Sequence, residues 1–447
     1  MFKRKIEEEL TNWKKNLSIN RKAFVLKGLR QIGKTYIVKK FAYENYKNVI
    51  YINFKIELDM KQCFNGNLLI DELIVNISSK KPGVLFIPNQ TVIILDEIQE
   101  CAGARAAIKP FVEDGRFDII ATGSLLGIKG YNSKYHGGVS VGYEHSVYMK
   151  AMDFEEFLWA KGINSDITNY LKDCFIKRIP ISEAVHNSML RYFKEYICVG
   201  GMPAVVNVFK NTSDMNQVLI EQRDILESYK DDFAKHLDEN ENEKIDKELL
   251  AKINKVFNSI PSQLSKENKK FMVSKIDKKS SLEKYEEAIQ WLIDYGLITK
   301  CYNLSSLESP LEGNKIDNIF KIYMCDTGLL VAMLDDGTSG EILLNDLGCY
   351  KGAIYENIIA DAFVKNKKNL YYFSKDTGLE IDFITKFNKN ITLIEVKAKN
   401  GNTKSAKEVL SNKIKYPEAN NLIRLKECNI GEVDNILSLP YYLSFLI

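Results

Sequence analysis

Histidine is scarce in this chain, four among 447 residues. The eight cysteines stand apart at Cys63, Cys101, Cys174, Cys198, Cys301, Cys325, Cys349 and Cys428, and no two form C-x-x-C. These shortages argue against a Cys/His zinc site and leave buried thiols in a reducing compartment. No stretch approaches ~18 apolar residues, so no membrane span is expected. Met1 to Ser18 is charged throughout and lacks the apolar core of a signal peptide, which points to the cytoplasm. A net charge of +3 favours no sign of partner. With 45% apolar and 27% charged residues the composition is that of an ordinary globular protein. The length exceeds one core, and at ~100–200 residues per domain suggests roughly three.

Against that background one stretch stands out. The apolar run Ala23 to Leu26 leads into Gly28-Leu29-Arg30-Gln31-Ile32-Gly33-Lys34-Thr35, and helix formers follow. This is G-x-x-x-x-G-K-[ST] between an expected strand and an expected helix. The two glycines let the backbone curl so that N–H groups point at phosphate oxygens, and the helix start adds to that field. Gly28, Arg30, Gln31, Ile32, Gly33, Lys34 and Thr35 are therefore candidate contacts to a nucleoside triphosphate. Lys34 suits the β- and γ-phosphates, and the Thr35 hydroxyl suits Mg²⁺.

A second stretch, Thr91 to Ile98 (TVIILDEI), reads as a buried strand ending in two carboxylates. Asp96 is placed to hold Mg²⁺ through water, and Glu97 to polarise the attacking water. Phe117 to Thr122 is another strand, landing on Gly123-Ser124. Phosphate-loop enzymes often place a polar residue at this point, so Thr122 and Ser124 are candidates for contacting the γ-phosphate or the water. With strands also at Asn48–Phe54 and His145–Met152, the alternation implies a parallel sheet with helices on both faces. Asn314-Lys315-Ile316-Asp317 matches the guanine-reading N-K-x-D but lies far beyond that sheet. DEIQ also lacks the Gly of D-x-x-G. ATP with Mg²⁺ is the expected cofactor.

Taken together, GLRQIGKT, LDEIQE, ATGSLLG and MDFEEFLWA resemble the AAA-like bacterial and archaeal ATPases that carry a C-terminal nuclease-like domain of unknown function. The resemblance extends over nearly the whole chain. It implies a helical lid, with Gly200-Gly201-Met202-Pro203 as its turn near the nucleotide. It also matches KIYMCDTGLL, from Lys321 onward, to a junction without assigned chemistry. The chain departs from the pattern at Leu29, where Pro is common, and lacks the Arg often found before the FEEF stretch. Arg105, Arg116, Arg178 and Arg191 are left as candidate sensors or fingers.

Residues 235–248 are nearly devoid of apolar side chains and fail the calcium-loop pattern, because Glu243 stands where Gly is needed. The segment after them reads as helix, turn, helix and strand, a winged-helix pattern with Lys275, Lys278, Lys279 and Lys284 near the second helix. Beyond residue 350 a helix carrying Glu356 precedes two strands, one with Glu380-Ile381-Asp382 and one with Glu395-Val396-Lys397. Positions i and i+2 share a strand face, and a hairpin near Asn388–Asn390 would join the two pairs. The constellation resembles the PD-(D/E)xK nuclease core. In that chemistry Asp382 and Glu395 hold Mg²⁺, Glu356 adds a ligand, and Lys397 stabilises charge or positions the water. Glu380 pairing with Lys397 would make the site structural instead, and Lys399, Lys404 and Lys407 could line a phosphate-binding edge.

The expected fold class is α/β: an AAA-like phosphate-loop core at 1–155, a helical lid at 156–235, a winged-helix-like middle at 236–340 and a restriction-endonuclease-like α/β domain at 341–447. The expected function is an ATPase whose last domain binds or cleaves DNA or RNA. The rival is an ATP-driven switch whose last domain engages a protein partner or a second copy without cutting.

Overall fold

The computed structural model describes residues 2–124, 142–238, 247–266, 269–346, 348, 350–397 and 403–447, with no side chains described at 235–238. Helix α1 (Ile6–Asn16) buries Ile6, Leu10 and Trp13 at helical spacing. Five strands follow in the first sheet: β1 (Ala23–Gly28), β2 (Asn48–Asn53), β3 (Thr91–Asp96), β4 (Asp118–Gly123) and β5 (Glu144–Met149). All pair in parallel, in the order β2-β3-β4-β1-β5. The period of two sorts their side chains onto two covered faces. Phe24, Leu26, Val92 and Ile94 pack with α1 and α2 (Lys34–Asn45). Ala23, Val25, Ile93 and Leu95 pack with α3 (Ile70–Lys80) and α4 (Ala102–Asp114). Strand β4 lies between β1 and β3, so its C-terminal end sits between the phosphate-loop stretch and Asp96.

The chain continues as a helical region: α5 (Phe154–Ala160), α6 (Ser165–Lys177), α7 (Glu183–Val199), α8 (Pro203–Thr212), α9 (Met215–Asp238), α10 (Lys247–Leu264) and α11 (Glu286–Tyr295). Part of the charged stretch at 235–248 lies outside the described residues, Glu243 included. Asp153 caps α5 through a reciprocal bond with Glu156. Arg4 and Lys5 hold this acidic start, Arg4 on Glu156 at 3.1 Å and Lys5 on Asp153 and Glu155 at 2.5 and 2.9 Å.

The second sheet has eight strands: β6 (Ile298–Leu304), β7 (Lys315–Met324), β8 (Tyr371–Ser374), β9 (Glu380–Phe387), β10 (Asn390–Lys397), β11 (Ala419–Lys426), β12 (Gly431–Val433) and β13 (Ile436–Pro440). Their order is β12-β13-β11-β10-β9-β8-β6-β7. The strand that the sequence reads as the end of a separate winged-helix-like middle is β6, part of this sheet, paired with β7 on one side and with β8 at Tyr302–Tyr371 on the other. The boundary expected at residue 340 therefore cuts through one sheet. The hydrophobic register explains this: Leu304 joins Phe373, Ile381 and Leu393 in one core under the sheet. The expected turn at 388–390 is present, with Asn388 and Lys389 both at positive φ between the paired residues Phe387 and Asn390.

Two short motifs from distant parts of the chain meet. The Gly200-Gly201 turn ends α7 against the loop at Asp326, where Gly201 N–H donates to Asp326 Oδ2 at 2.6 Å. Met152 N–H donates to Gly201 O at 2.8 Å. A Cβ on Gly201 would stand 2.0 Å from Met152 O. Any side chain here would force Met152 and the turn apart.

Candidate functional site

Strand β1 runs into a loop whose backbone is shaped by close approach. A Cβ on Gly28 would lie 2.5 Å from Met149 O, so only glycine lets the loop leave between β1 and β5. Gly33 turns at φ 89° and opens α2. Lys34 is buried, and its ammonium donates to the Gly28 and Leu29 carbonyls at 3.0 and 2.6 Å. Burial lowers its pKa to about 8, partly offset by Glu97 and Asp96 nearby.

Asp96 ends β3 and is 1% exposed. Uncharged donors surround it: Thr35 Oγ1 at 3.0 Å, Tyr51 O–H at 2.7 Å, Asn53 Nδ2 at 2.8 Å, and the Thr122 hydroxyl. The β2–β3 register, which pairs Asn53 with Asp96, delivers the second and third of these. Glu97 follows at φ 52° and accepts from Gln99 Nε2 at 2.5 Å. Ser124 is buried at the end of β4. Thr35, Lys34, Asp96, Glu97, Thr122 and Ser124 thus meet at the C-terminal edge of the sheet, where α/β folds present ligands. Tyr51 and Asn53 escape a reading by motif. Their signal is positional: polar residues near the end of the strand next to β3.

The loop is also tied to the helical region. Arg30 ion-pairs with the buried Asp232 of α9, which accepts from Tyr295 O–H at 2.7 Å. Tyr229 O–H donates to Arg30 O at 3.2 Å, and Arg4 donates to Ile32 O at 3.1 Å. The four candidate arginines lie elsewhere in their contacts. Arg105 pairs with Glu144, Arg116 with Asp71 and Asp114, Arg178 with Glu432, and Arg191 stacks on Tyr192.

In the second sheet the structure brings Glu356, Asp382, Glu395 and Lys397 into one cluster with Lys269 and Lys321. Glu356 Oε1 accepts from Lys269 at 2.6 Å, and Lys321 lies 3.6 Å from Oε2. Glu395 pairs with Lys397. Glu380 pairs with Lys321 at 2.8 Å, not with Lys397, because β7 brings a buried lysine across the sheet. Asp382 accepts from Val396 N–H at 2.7 Å. Burial, then Glu356 and Glu395, push Asp382 up to about 7. Burial also raises Glu395 against the pull of Lys397. Burial would raise Glu356 as well, but Lys321 and Lys269 outweigh it and hold it below the usual range. Among the described residues no group of three His, Cys, Asp or Glu is arranged to hold a metal ion. Lys404 and Lys407 are exposed on the helix at 404–411, and Lys399 lies outside the described residues. Asn314 Nδ2 bonds the Glu308 and Pro310 carbonyls, a turn-holding role.

Residues 20–158 match the family model described as AAA domain. Residues 190–339 and 351–442 match two models, each described as a domain of unknown function. No curated protein matches the chain. Similar solved structures include the Walker-type ATPase of Pyrococcus abyssi, at 13% identity, TM-score 0.41, and coverage of 74% of this chain and 96% of that one. The ORC2 protein of Aeropyrum pernix in its ADPNP-ADP complexes gives 12%, 0.35, 76% and 92%. PCH-2 of C. elegans gives 12%, 0.27, 50% and 68%. Residues 20–158 are an AAA-type ATPase domain. No helix among the described residues is long and apolar enough to cross a membrane.

Proposed function

We propose that the chain binds MgATP at the first sheet, hydrolyses it with Glu97 as base, and works as an ATP-driven switch. The observation that carries this reading is the setting of Asp96, buried among four uncharged donors and facing a buried lysine that rests on carbonyls. The residues fit the ligand: a glycine-shaped loop, a cation whose ammonium rests on two carbonyls, and an Asp/Thr pair of hard oxygen donors. Mg²⁺, when bound, neutralises phosphate charge. Thr35 and Asp96 would hold the ion, Asp96 through water, and Thr122 orients Asp96. Lys34 would exchange its two carbonyl partners for phosphate oxygens. Glu97 takes the proton of the attacking water, with Gln99 fixing its carboxylate. Arg30 sits on the loop and on Asp232 at once, so a loop that tightens on phosphate pulls on α9. Glu97→Gln tests this reading: it should retain ATP in a stable complex while turnover falls on the order of a thousandfold. Hydrolysis at the wild-type rate would remove Glu97 as base.

The switch is favoured over cleavage because Glu356, Glu395 and Glu380 each already carry a lysine partner. The second reading, metal-dependent cleavage of nucleic acid by Asp382, Glu395 and Lys397 with Glu356, draws on the mutual crowding that raises Asp382. A Mn²⁺ titration of the full chain against Asp382→Asn/Glu395→Gln separates them. Equal, weak binding by both supports the switch. Tight binding lost in the variant, with cutting of DNA or RNA, supports the nuclease.

A further inference from the structure

A cleft of about 830 Å³ shares no lining residue with either carboxylate cluster. Its walls come from β5, from α11 with the start of β6, and from the chain that follows Val364. Among the described residues strand β5 ends the first sheet, paired on one side only, with β1. Five lysines line the cleft against three carboxylates. Lys300 and Lys368 have no carboxylate within ion-pair distance among the described residues, and both are only partly exposed. Lys368 donates no closer than 3.4 Å, to Lys386 O. Burial lowers the pKa of each. Such cations gain from a phosphate more than a solvated lysine does. Of the tyrosines that line it with them, Tyr148 is 49% exposed on β5 and Tyr302 is half-buried beside Lys300.

We propose that this cleft binds single-stranded nucleic acid, with Lys300 and Lys368 on the phosphates and Tyr148 stacking on a base. Cations beside an exposed ring are the recurring pair for this ligand. The cleft has the volume of a few nucleotide units and is far too small for a duplex. It is partly open to solvent, which suits a chain passing through more than a free mononucleotide. An acidic peptide added to the edge of β5 would use the lysines but not the face of Tyr148. Two of the cleft's walls also lead to the phosphate loop, which links the two sites if the switch reading holds. Gly28 belongs to β1, the partner of β5, and Tyr295 follows the lining residue Asp294 and holds Asp232 beside Arg30.

The test is fluorescence anisotropy of a labelled oligothymidylate with the full chain, first without nucleotide so that the result is independent of ATP chemistry. Lys300→Gln/Lys368→Gln should weaken binding roughly tenfold at low salt and flatten the salt dependence, and Tyr148→Ala should weaken it roughly fivefold or more. Unchanged melting temperatures show that these variants are folded. Should the lysine pair unfold the chain, Tyr148→Ala alone carries the test. Wild-type affinity in both variants overturns the site. So does equal competition by dTMP, by duplex of the same length or by polyglutamate, which would make it a mononucleotide, duplex or acidic-peptide site. Repeating the titration with Glu97→Gln and ATP tests the link alone: a shifted oligonucleotide affinity supports it, and an identical one removes the link while leaving the cleft.

Discussion

Two buried acidic clusters sit in two sheets of this chain, and they are satisfied by opposite chemistry. Asp96 is held by hydroxyls and an amide, which orient a carboxylate without neutralising it, so its charge stays available to a cation. Glu356, Glu380 and Glu395 are held by lysines, which neutralise them within the protein. A buried carboxylate in the first setting is costly until a positive ligand arrives; in the second, Lys321 and Lys269 offset that cost at Glu356 before any ligand does, while burial still keeps Asp382 and Glu395 raised. On the proposed function, the type of donor, more than the number of acids, sets a metal site apart from an internal ionic brace.

That contrast can be broken in order of effect. The Glu97→Gln variant described above should show the largest change, in turnover alone. Lys321→Met should come next: removing a lysine that is 1% exposed leaves Glu380 without its ammonium and Glu356 with Lys269 only. We expect a loss of about 3 kcal/mol in chemical denaturation, the scale for breaking a buried pair. Recovery of that loss on adding Mn²⁺ would break the comparison, since a metal would then stand where the lysine did. Lys34→Ala should weaken MgATP binding on the order of a hundredfold in calorimetry, as when one partner of a desolvated charge pair is removed.

A smaller effect follows from the lowered pKa of Lys34, about 8 in the free protein. Below that value the ammonium is ready for phosphate. Above it, binding must first take up a proton, so affinity should fall as pH rises through 8, by up to about tenfold per unit. Titrations at pH 9 in buffers of different ionisation heat should reveal the proton uptake; a flat profile would place Lys34 away from the phosphates. Arg30→Ala should be the mildest, a change of a fewfold in ATP affinity with hydrolysis retained. If hydrolysis vanished with it, Arg30 would belong to the chemistry and not to the link with α9.

Much of the first site is legible in sequence because its parts are contiguous: the loop, the DE pair and the strand end after Phe117 each announce themselves by local order. Tyr51, Asn53 and Asp232 are not, since only strand register and helix packing bring them to Asp96 and Arg30. The second sheet shows the same divide. The 388–389 turn and the spacing of EID and EVK can be read from neighbours along the chain. Lys269 and Lys321 cannot, because both precede the stretch expected to form the last domain, and only the pairing of β6 with β8 carries Lys321 into its sheet. Arg4 is hidden in a charged opening segment in which any basic residue looks alike.

Strand β6 has a practical consequence. The family models meet near residue 345, yet the sheet does not. A fragment cut there would keep β8 but lose the strand beside it, leaving a bare row of peptide groups on an apolar ribbon. Such an edge recruits whatever strand it meets, a neighbouring copy included. Expressed alone, the last hundred residues should precipitate or form artefactual dimers. A fragment that begins before α11 and carries β6 and β7 with it should stay in solution.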